Sequence, residues 1–519
     1  MSEMKTATVV GAGMVGLATA WHLQERGVEV TVLDRHGVAS GASWGNAGWL
    51  TPGMAMPLAD PSLWAYGPKA MLDPDAALSV PFRFDAALWA FLARFMANAT
   101  HGAWQRAMAA LTPIDRLALE AYDELEAGGV HATSHPSRWV VGFERERESR
   151  PFVHELRAVA KAGQEVRLSR MPDGVRVPHL SRAVRSTWTL EGQRYIDPGA
   201  YVQALATSVS ARGAKVLSDA RVEGVRVVPG GVETTVHGHD TMTSDAVVLA
   251  TGAWLPELAQ RFGVRTQVQA GRGYSFSVPV AGPPIDHPVY FPARRVACTP
   301  YQGRLRIAGT MEFRGPDEPL QPARVDAIVS SVRGLFEGVD LDSREDEWVG
   351  SRPVTPDGLP LVGRTAAPGV YVAGGHGMWG MVLGPATGRA LAALITTGQV
   401  PDEIRPFDPC ADPGQFLSRS ASRSSPSRMM PRPNSNSVWS SHQPRVGSAS
   451  AWLTAASIST MCGTWSAICM SIAVAASSAP SLAPPPAAEP AVAPSGSKSS
   501  WEKPSARLPS ACMAWWTRS

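Results

Sequence analysis

The feature that most constrains the fold is a run of strand, glycine turn, helix, strand and acid near the N-terminus. A β-branched stretch, residues 8–10, leads into Gly11-Ala12-Gly13-Met14-Val15-Gly16 and then into a helical pattern. Valines alternate over residues 28–32 and lead to Asp34, 18 residues after Gly16. Glycines at these positions allow a tight turn, close approach of a pyrophosphate and close packing of helix on strand. The run predicts a Rossmann-like α/β unit that binds a dinucleotide, with Asp34 at the ribose, and it leaves NAD and FAD open.

The second half of this unit is predicted far downstream. Residues 199–213 favour a helix, and residues 215–236 favour short strands. The apolar run of residues 246–250 ends in Thr251-Gly252-Ala253-Trp254, which is typical of a buried strand whose carboxyl end meets the cofactor. A further strand is predicted at residues 370–375, with a helix beginning at Pro385. Residues 54–194, between the halves, have a mostly helical pattern.

Charge and cysteine content divide the chain at Cys410. The 519 residues have a net charge of +3, yet residues 410–519 hold nine Lys and Arg against three Asp and Glu, so the preceding body is slightly acidic. A body near neutrality gives no reason to expect a nucleic-acid partner. Before residue 410 the only cysteine is Cys298, which excludes a disulfide framework and fits a reducing compartment. No signal peptide is predicted, so the expected location is the cytoplasm.

The last 110 residues have a different composition from the body. They contain 26 Ser, 13 Pro and six Trp but no Tyr, which predicts a low-complexity, disordered tail at residues 410–519. One hypothesis is that this segment is translated from a reading frame that folding has not shaped. A membrane anchor is the other hypothesis, because residues 446–488 carry no charge. Only 13 of the 20 residues from Ala451 to Met470 are apolar, however, and a spanning helix needs about 20 predominantly apolar positions.

Several ordered motifs resemble the FAD-dependent D-amino-acid oxidase superfamily. They are residues 9–17, Asp34-Arg35, Gly41-Ala42-Ser43-Trp44-Gly45-Asn46-Ala47-Gly48 and Ala250-Thr251-Gly252-Ala253-Trp254. Three more stretches, residues 46–53, 350–360 and 375–380, are most similar to bacterial D-amino-acid dehydrogenases, with glycine oxidases as near relatives. The resemblance covers residues 5–408 and implies FAD, bound non-covalently because no cysteine lies between Thr299 and Pro409.

The resemblance also implies a division into domains. An FAD-binding domain would comprise residues 1–53, 195–262 and 345–409, and a discontinuous mixed α/β substrate domain would comprise residues 54–194 and 263–344. The chain as a whole is then of the α+β type. The cofactor-binding residues carried over from the family, or expected beside them, are Gly11, Ala12, Gly13, Val15, Gly16, Asp34, Arg35, Ser43, Asn46, Ala47, Gly48, Val222, Gly252, Trp254, Gly375, Gly377, Met378, Trp379, Gly380 and Met381.

The implied reaction is oxidative deamination of a D-amino acid to a 2-oxo acid and ammonia, by hydride transfer to flavin N5. Arg352, in a Ser-Arg-Pro turn, matches the family's substrate arginine, and its planar fork suits a carboxylate. Backbone N–H groups of residues 377–381 are expected to face the flavin N1 and C2 carbonyl. Tyr274 is expected to contact the substrate or simply to pack in a strand. His376 is a candidate general base, although hydride transfer from a neutral amine needs no strong base.

Alternatives remain open at this point. The substrate could be glycine, sarcosine or a cyclic imino acid, and a non-catalytic flavin-binding sensor is a reading from another class. The electron acceptor could be oxygen or a quinone of the respiratory chain. The apolar stretch of residues 87–97 favours a core helix, with peripheral contact to the inner face of the plasma membrane as the alternative. No metal site is predicted.

Overall fold

The computed structural model describes residues 4–411, except residues 65–66, 68–72, 74 and 82. Beyond residue 411 the predicted tail lies outside the described residues. The strands, numbered in chain order, are β1 (Thr6–Val10), β2 (Glu29–Leu33), β3 (Trp49–Leu50), β4 (Leu78–Ser79), β5 (His135–Phe143), β6 (Arg167–Arg170), β7 (Ser186–Tyr195), β8 (Lys215–Leu217), β9 (Val222–Val228), β10 (Gly231–Val236), β11 (Met242–Ser244), β12 (Ala246–Leu249), β13 (Gln269–Val278), β14 (Val289–Phe291), β15 (Val296–Tyr301), β16 (Arg304–Phe313), β17 (Glu345–Val354), β18 (Leu361–Arg364) and β19 (Val370–Gly374). The described α-helices are α1 (Met14–Gln24), α2 (Ala86–Asn98), α3 (His101–Asp115), α4 (Ala118–Ala127), α5 (Ser149–Lys161), α6 (Pro198–Ala211), α7 (Leu255–Ala259), α8 (Pro322–Val332) and α9 (Gly380–Thr397).

The first sheet is the predicted nucleotide-binding one. Six strands follow the order β18-β19-β12-β1-β2-β8, and all neighbours are parallel except β18 and β19. The residues of β12 are all buried, as the continuous apolar run predicts for a strand covered on both faces. One face packs against α1, α6 and α9, and the other packs against α7 and the antiparallel sheet β11-β10-β9. These layers bring the carboxyl ends of β1, β2, β12 and β19 to one edge.

The second sheet is mixed and contains ten strands. Its main path is β17-β13-β16-β15-β14-β5-β7-β3, with β4 paired to β16 and β6 paired to β7. Its two faces have different neighbours, because consecutive residues of a strand point to opposite sides. In β14, Val289 and Phe291 pack against α8, whereas Tyr290 packs against α5. The sheet therefore has an α8 face and an opposite face, which receives the segment after β2.

The strands place two parts of the chain differently from the sequence analysis. Residues 54–194 are not mostly helical, because β5, β6 and β7 lie there and complete the ten-stranded sheet. Every second residue at the end of β5 is apolar, which is typical of a strand, and Trp139, Val141 and Phe143 are all buried on one face. Residues 345–354, grouped above with the FAD-binding domain, form β17 at an edge of the second sheet. The division into two domains stays a prediction.

Helix α9 begins earlier than the proline signal predicts. It starts at Gly380, so Pro385 lies inside it and not at its first position. A proline has no N–H for the carbonyl four residues before it, here Met381. The Tyr122 hydroxyl of α4 donates to that carbonyl at 2.7 Å in the buried core, and the acceptor is thereby satisfied. A tertiary hydrogen bond permits the helix to extend across its proline.

Helix α2 is amphipathic and packs one face into the core, which fits the favoured prediction of a core helix. Leu88, Phe91 and Phe95 are buried and pack with Met311 and Phe313 of β16, while the alanines at 87, 90, 93 and 97 are exposed. Asp85 caps the helix by accepting from the N–H groups of residues 87 and 88. Among the described helices, none combines the length and the apolar character needed to cross a bilayer.

Candidate functional site

A cleft opens where the carboxyl ends of β1, β2, β12 and β19 face the second sheet. Ligands of open parallel sheets bind at this edge. Its volume of about 340 Å³ is within the range of about 300–1,000 Å³ that is usual for small-molecule sites. Predicted residues that line it are Gly11, Gly13, Val15, Asp34, Arg35, Ser43, Asn46, Val222, Gly252, Trp254, Arg352, His376, Gly377, Met378, Gly380 and Met381. Their roles in binding stay predictions, but the structure brings them together.

The glycine turn has the geometry that a pyrophosphate needs. Gly11 has a φ of +116°, and a Cβ there would overlap the carbonyl of Ala250. A Cβ on Gly16 would overlap the carbonyl of Gly11, so this glycine brings α1 close to β1 without lining the cleft. Gly13 precedes α1 without a side chain to cap it, and the first turn carries no acid. The Met14 N–H donates to Ser43 Oγ at 3.4 Å, and the other N–H groups of the first turn, with the helix dipole, fit a bound anion. The residues present therefore suit a dinucleotide.

The Asp34 carboxylate is already occupied in part by the protein. Its Oδ2 accepts from the Ala12 N–H at 2.9 Å, and its Oδ1 accepts from the N–H groups of His36 and Gly37 at 2.9 Å and from Ser40 Oγ at 3.3 Å. A carboxylate offers about four acceptor positions, so Oδ2 alone keeps one for a ribose hydroxyl. Ala12 therefore acts through Asp34 and not on the cleft, which it does not line.

One side of the cleft contains an acid that the sequence analysis missed. Arg35 lies with its guanidinium carbon 3.8 Å from the centre of the Trp254 ring, and it pairs with Asp317 Oδ1 at 2.6 Å. The Trp254 indole N–H donates to Asp317 Oδ2 at 2.9 Å. Asp317 comes from the loop between β16 and α8, 282 residues after Arg35, and no local pattern marks it.

The segment of residues 43–48 is held along the second sheet by its carbonyl groups. Three side chains of this sheet donate to them: Arg306 to Trp44 at 3.1 Å, Ser275 to Gly45 at 2.7 Å and Thr299 to Ala47 at 2.6 Å. Ser43 and Asn46 line the cleft, whereas Ala47 and Gly48 do not. Gly48 has a φ of +72°, and a Cβ there would overlap the carbonyl of Ile196. The sheet thus fixes the segment that the family resemblance assigns to the pyrophosphate and flavin.

Arg352 lies in β17 and not in a turn, and its side chain reaches the cleft. The guanidinium crosses Gly273 of β13, where a Cβ would overlap it, and Nη1 donates to the carbonyl of Thr310 at 3.1 Å. Burial lowers the pKa of Arg352 to about 10, so the group stays charged at neutral pH. Of its five N–H donors, one is recorded on Thr310. A carboxylate would find a cation that is already oriented by its neighbours.

His376 is buried and is joined to both neighbouring elements. Its backbone forms a bridge to Val354 at the end of β17, and its Nε2 lies 3.0 Å from Thr387 Oγ1 of α9. Burial lowers the pKa of His376 to about 4, so the imidazole is neutral at pH 7. These two contacts of His376 join β17, which carries Arg352, to helix α9.

The backbone after His376 supplies fewer donors than the sequence predicts. Gly377 lines the cleft, but its N–H donates to the carbonyl of Pro353 at 2.8 Å. Gly380 and Met381 belong to the first turn of α9, and within the described chain their N–H groups have no recorded protein acceptor. Gly375 and Trp379 do not line the cleft. The Trp379 indole instead donates to the carbonyl of Met56 at 2.7 Å.

Tyr274 lies outside the cleft, so its expected contact with the substrate is not supported by the geometry. Its side chain is fully buried in the α8 face of the second sheet, and its hydroxyl donates to Glu312 Oε2 at 2.6 Å. The register of β13 with β16 shifts by one residue between Arg272 and Tyr274, and the extra residue lies in β16. Cys298 packs in the same face, away from the cleft, and non-covalent attachment of a cofactor stays a prediction.

Sequence comparisons find relatives over most of the chain. Residues 6–394 match the family DAO, described as FAD dependent oxidoreductase. A D-amino acid dehydrogenase of Cereibacter sphaeroides is 31% identical over 406 residues, which cover 76% of this chain and 92% of that protein. A D-amino acid dehydrogenase of Methylobacterium nodulans is 32% identical, covering 76% of this chain and 96% of that protein.

Solved structures with the same fold include two oxidases. Glycine oxidase from Geobacillus kaustophilus superposes with a TM-score of 0.60 at 22% identity, covering 78% of this chain and 98% of its own. Iminodiacetate oxidase from Chelativorans sp. superposes with a TM-score of 0.57 at 18% identity, with the same two coverages. At these identities the likeness establishes the fold.

Proposed function

Since this chain belongs to the DAO family of FAD-dependent oxidoreductases, we propose that it oxidises D-amino acids to 2-oxo acids and ammonia. The observation that carries the proposal is Arg352, a half-buried cation in the same cleft as a glycine turn that fits a dinucleotide. Relatives of 31–32% identity that match over almost their whole length are named D-amino acid dehydrogenases, which supports the D-enantiomer as substrate.

Arg352 would hold the substrate carboxylate. A guanidinium binds a carboxylate through two parallel hydrogen bonds, which fixes orientation as well as charge. The contact with Gly273 and the bond to Thr310 restrict the side chain before substrate arrives, so little rotamer freedom is lost on binding. Anchoring the carboxylate at one point leaves the α carbon and amino group to be aligned by the rest of the cleft.

Different residues of the cleft would serve cofactor binding and chemistry. Gly11, Gly13 and the start of α1 would hold the pyrophosphate of FAD, and residues 43–48 would lie beside it. Bound FAD supplies the acceptor for the hydride of the substrate α C–H bond. The first-turn N–H groups of Gly380 and Met381, together with the dipole of α9, would stabilise negative charge on the bound cofactor.

No side chain is needed as a strong base in this scheme. His376 is neutral at pH 7, and its Nε2 already lies against Thr387. An amine that arrives unprotonated can lose a hydride directly, so His376 would serve to join β17 to α9. The amine pKa of the substrate would then govern the rise of activity with pH.

The electron acceptor is the second part of the proposal. The relatives of 31–32% identity are named dehydrogenases and not oxidases, which supports a quinone of the respiratory chain in preference to oxygen. A cytoplasmic location with peripheral contact at the inner face of the plasma membrane would suit such an acceptor. Reoxidation of the reduced protein by a soluble quinone analogue, compared with air-saturated buffer, separates the two acceptors.

An anaerobic reduction screen tests the proposed substrate. The purified yellow protein is mixed without oxygen with matched D- and L-amino acids, glycine, sarcosine and D-proline, and the flavin absorbance is followed. Bleaching by several D-amino acids and not by their L-enantiomers is expected. Bleaching by glycine or sarcosine alone would favour the alternative substrates, and no bleaching by any amine would favour a non-catalytic flavoprotein.

A further inference from the structure

The loop of residues 314–319, here called the strap, crosses from the second sheet to the side of the cleft. Three donors of that sheet fix its backbone: Gln269 to the carbonyl of Arg314 at 3.2 Å, Ser351 to that of Pro316 at 2.9 Å and Arg272 to that of Pro319 at 3.0 Å. Pro316, Asp317 and Ser351 line the cleft. The strap is thus a fixed extension of the second sheet.

Glu318 braces the strap from within. It accepts from the Gly315 N–H at 2.8 Å, from Arg314 at 3.0 Å and from Arg83 at 2.8 Å. The neighbouring Asp317 does not take part in these bonds. Its carboxylate instead contacts residues that follow strands of the nucleotide-binding sheet.

Asp317 joins the strap to two residues of the opposite wall. One carboxylate oxygen pairs with Arg35, which follows β2, and the other accepts from the Trp254 indole, which follows β12. Arg35 also stacks on Trp254, so the three side chains form one closed cluster. All three line the cleft. A dinucleotide in the cleft would be flanked by a contact that spans both sheets.

We propose that Asp317 is a positioning residue for FAD, which slows its release by holding Arg35 and Trp254 across the side of the cleft. FAD leaves the cleft more slowly while this contact is closed. The inference rests on the FAD family of the chain and is independent of which amine is oxidised. Asp317, which extends from the second sheet, would thus join the FAD-binding residues of the nucleotide-binding sheet.

The sign of the effect distinguishes this role from a competing one. If Asp317 only neutralised Arg35, removing its charge would free a cation for the phosphates of FAD, and binding would become tighter. If Asp317 holds the cluster closed, removing its charge weakens binding. Because the side chains of Arg35 and Asp317 are 29% and 64% exposed, the effect is modest and screened by salt.

The test uses Asp317→Asn, whose amide oxygen can still accept from Trp254 while the charge opposite Arg35 is lost. The matched control is Asp326→Asn, because Asp326 pairs with Arg344 at 2.7 Å and is 61% exposed, and it does not line the cleft. Apoprotein is titrated with FAD by flavin fluorescence, and release is followed after dilution into a flavin scavenger. The melting temperature of each apoprotein checks that the fold is intact.

In Asp317→Asn we expect the dissociation rate and the Kd for FAD to rise about two- to fivefold at low salt, as for an exposed ion pair. The difference in Kd between Asp317→Asn and the unaltered protein should shrink at about 0.5 M salt, because salt screens exposed charges. The melting temperature of the apoprotein should stay unchanged. Asp326→Asn should match the unaltered protein throughout. Equal or tighter FAD binding by Asp317→Asn, or an equal loss in Asp326→Asn, would overturn the proposal. If Asp317→Asn apoprotein melts lower, Arg35→Met and the double variant decide, because a contact between the pair predicts non-additive Kd values and its absence additive ones.

Discussion

Replacing Tyr122 by Phe tests the reason that α9 can contain a proline. The substitution removes one hydroxyl from the core and keeps the ring, which packs edge-on against Tyr201 at 5.1 Å. The hydroxyl donates to the Met381 carbonyl at 2.7 Å, and burial raises the pKa of Tyr122, so it remains a donor at all working pH values. Without it, the Met381 carbonyl loses this donor, and Pro385 cannot supply the helical one.

The expected cost follows from the burial of this acceptor. Leaving a buried carbonyl without a donor costs about 1–3 kcal/mol, whereas removing both partners of a hydrogen bond is nearly neutral. For about 400 residues an unfolding entropy of roughly 2.1 cal/mol/K per residue turns each kcal/mol into about 1 °C. Tyr122→Phe is therefore predicted to lower the melting temperature by about 1–4 °C, measured with FAD at a fixed concentration.

Pro385→Ala provides the decisive background, because alanine restores the N–H that Met381 lacks. In that background Tyr122→Phe should cost much less, with a coupling of about 1–2 kcal/mol in urea unfolding. Tyr201→Phe is the control for loss of a buried phenol, since its hydroxyl makes a long contact of 3.4 Å with Glu126. Equal cost of Tyr122→Phe with proline or alanine at 385 would refute the explanation of α9.

Three further predictions concern the arginine and the buried histidines. Gly273→Ala should displace the Arg352 guanidinium, which its Cβ would overlap, and raise KM for a D-amino acid about tenfold while FAD stays bound; unchanged KM in steady-state assays would contradict this. Burial and nearby arginines lower the pKa of His22 to about 3, below its free value of 6.5. Between these values the unfolded chain binds more protons, so stability falls with falling pH, by about 2 kcal/mol at pH 5 relative to neutral pH; urea unfolding of His22→Gln should lack this part of the loss, and an unaltered pH dependence would contradict it. His376→Asn should leave the pH profile of kcat unchanged, because its imidazole is already neutral above about pH 4; loss of a limb of the profile would identify it as a base.

Local patterns were sufficient for the family and for the backbone geometry of the glycine turn. The resemblance to the FAD-dependent superfamily and the FAD cofactor are confirmed by the match over residues 6–394. The prediction of an α/β fold is confirmed as well. Gly11 and Gly16 could be read from the sequence because their constraints come from backbone atoms of the same strand-turn-helix unit or the adjoining strand.

Contacts between distant segments account for what the sequence could not give. The start of α9 depends on Tyr122, 259 residues before Met381, so the proline alone misled the prediction. The α8 face that buries Tyr274 forms only when β13 pairs with β16 and β17, which lie later in the sequence. Asp317 joins the site only because the strap brings it to Arg35. The start of α9, the burial of Tyr274 and the position of Asp317 all depend on contacts that form only when the distant segments pack together.

The most direct test of the proposed function compares a D-amino acid with its decarboxylated amine in the unaltered protein and in Arg352→Lys. Anaerobic stopped-flow reduction of the flavin gives Kd and the reduction rate for each substrate. The guanidinium should favour the amino acid by at least about 10- to 150-fold, since one hydrogen bond to a charged group contributes about 1.5–3 kcal/mol. Lysine should lose most of this preference. If Arg352→Lys keeps the same preference as the unaltered protein, the carboxylate is not bound by Arg352 and the central claim fails.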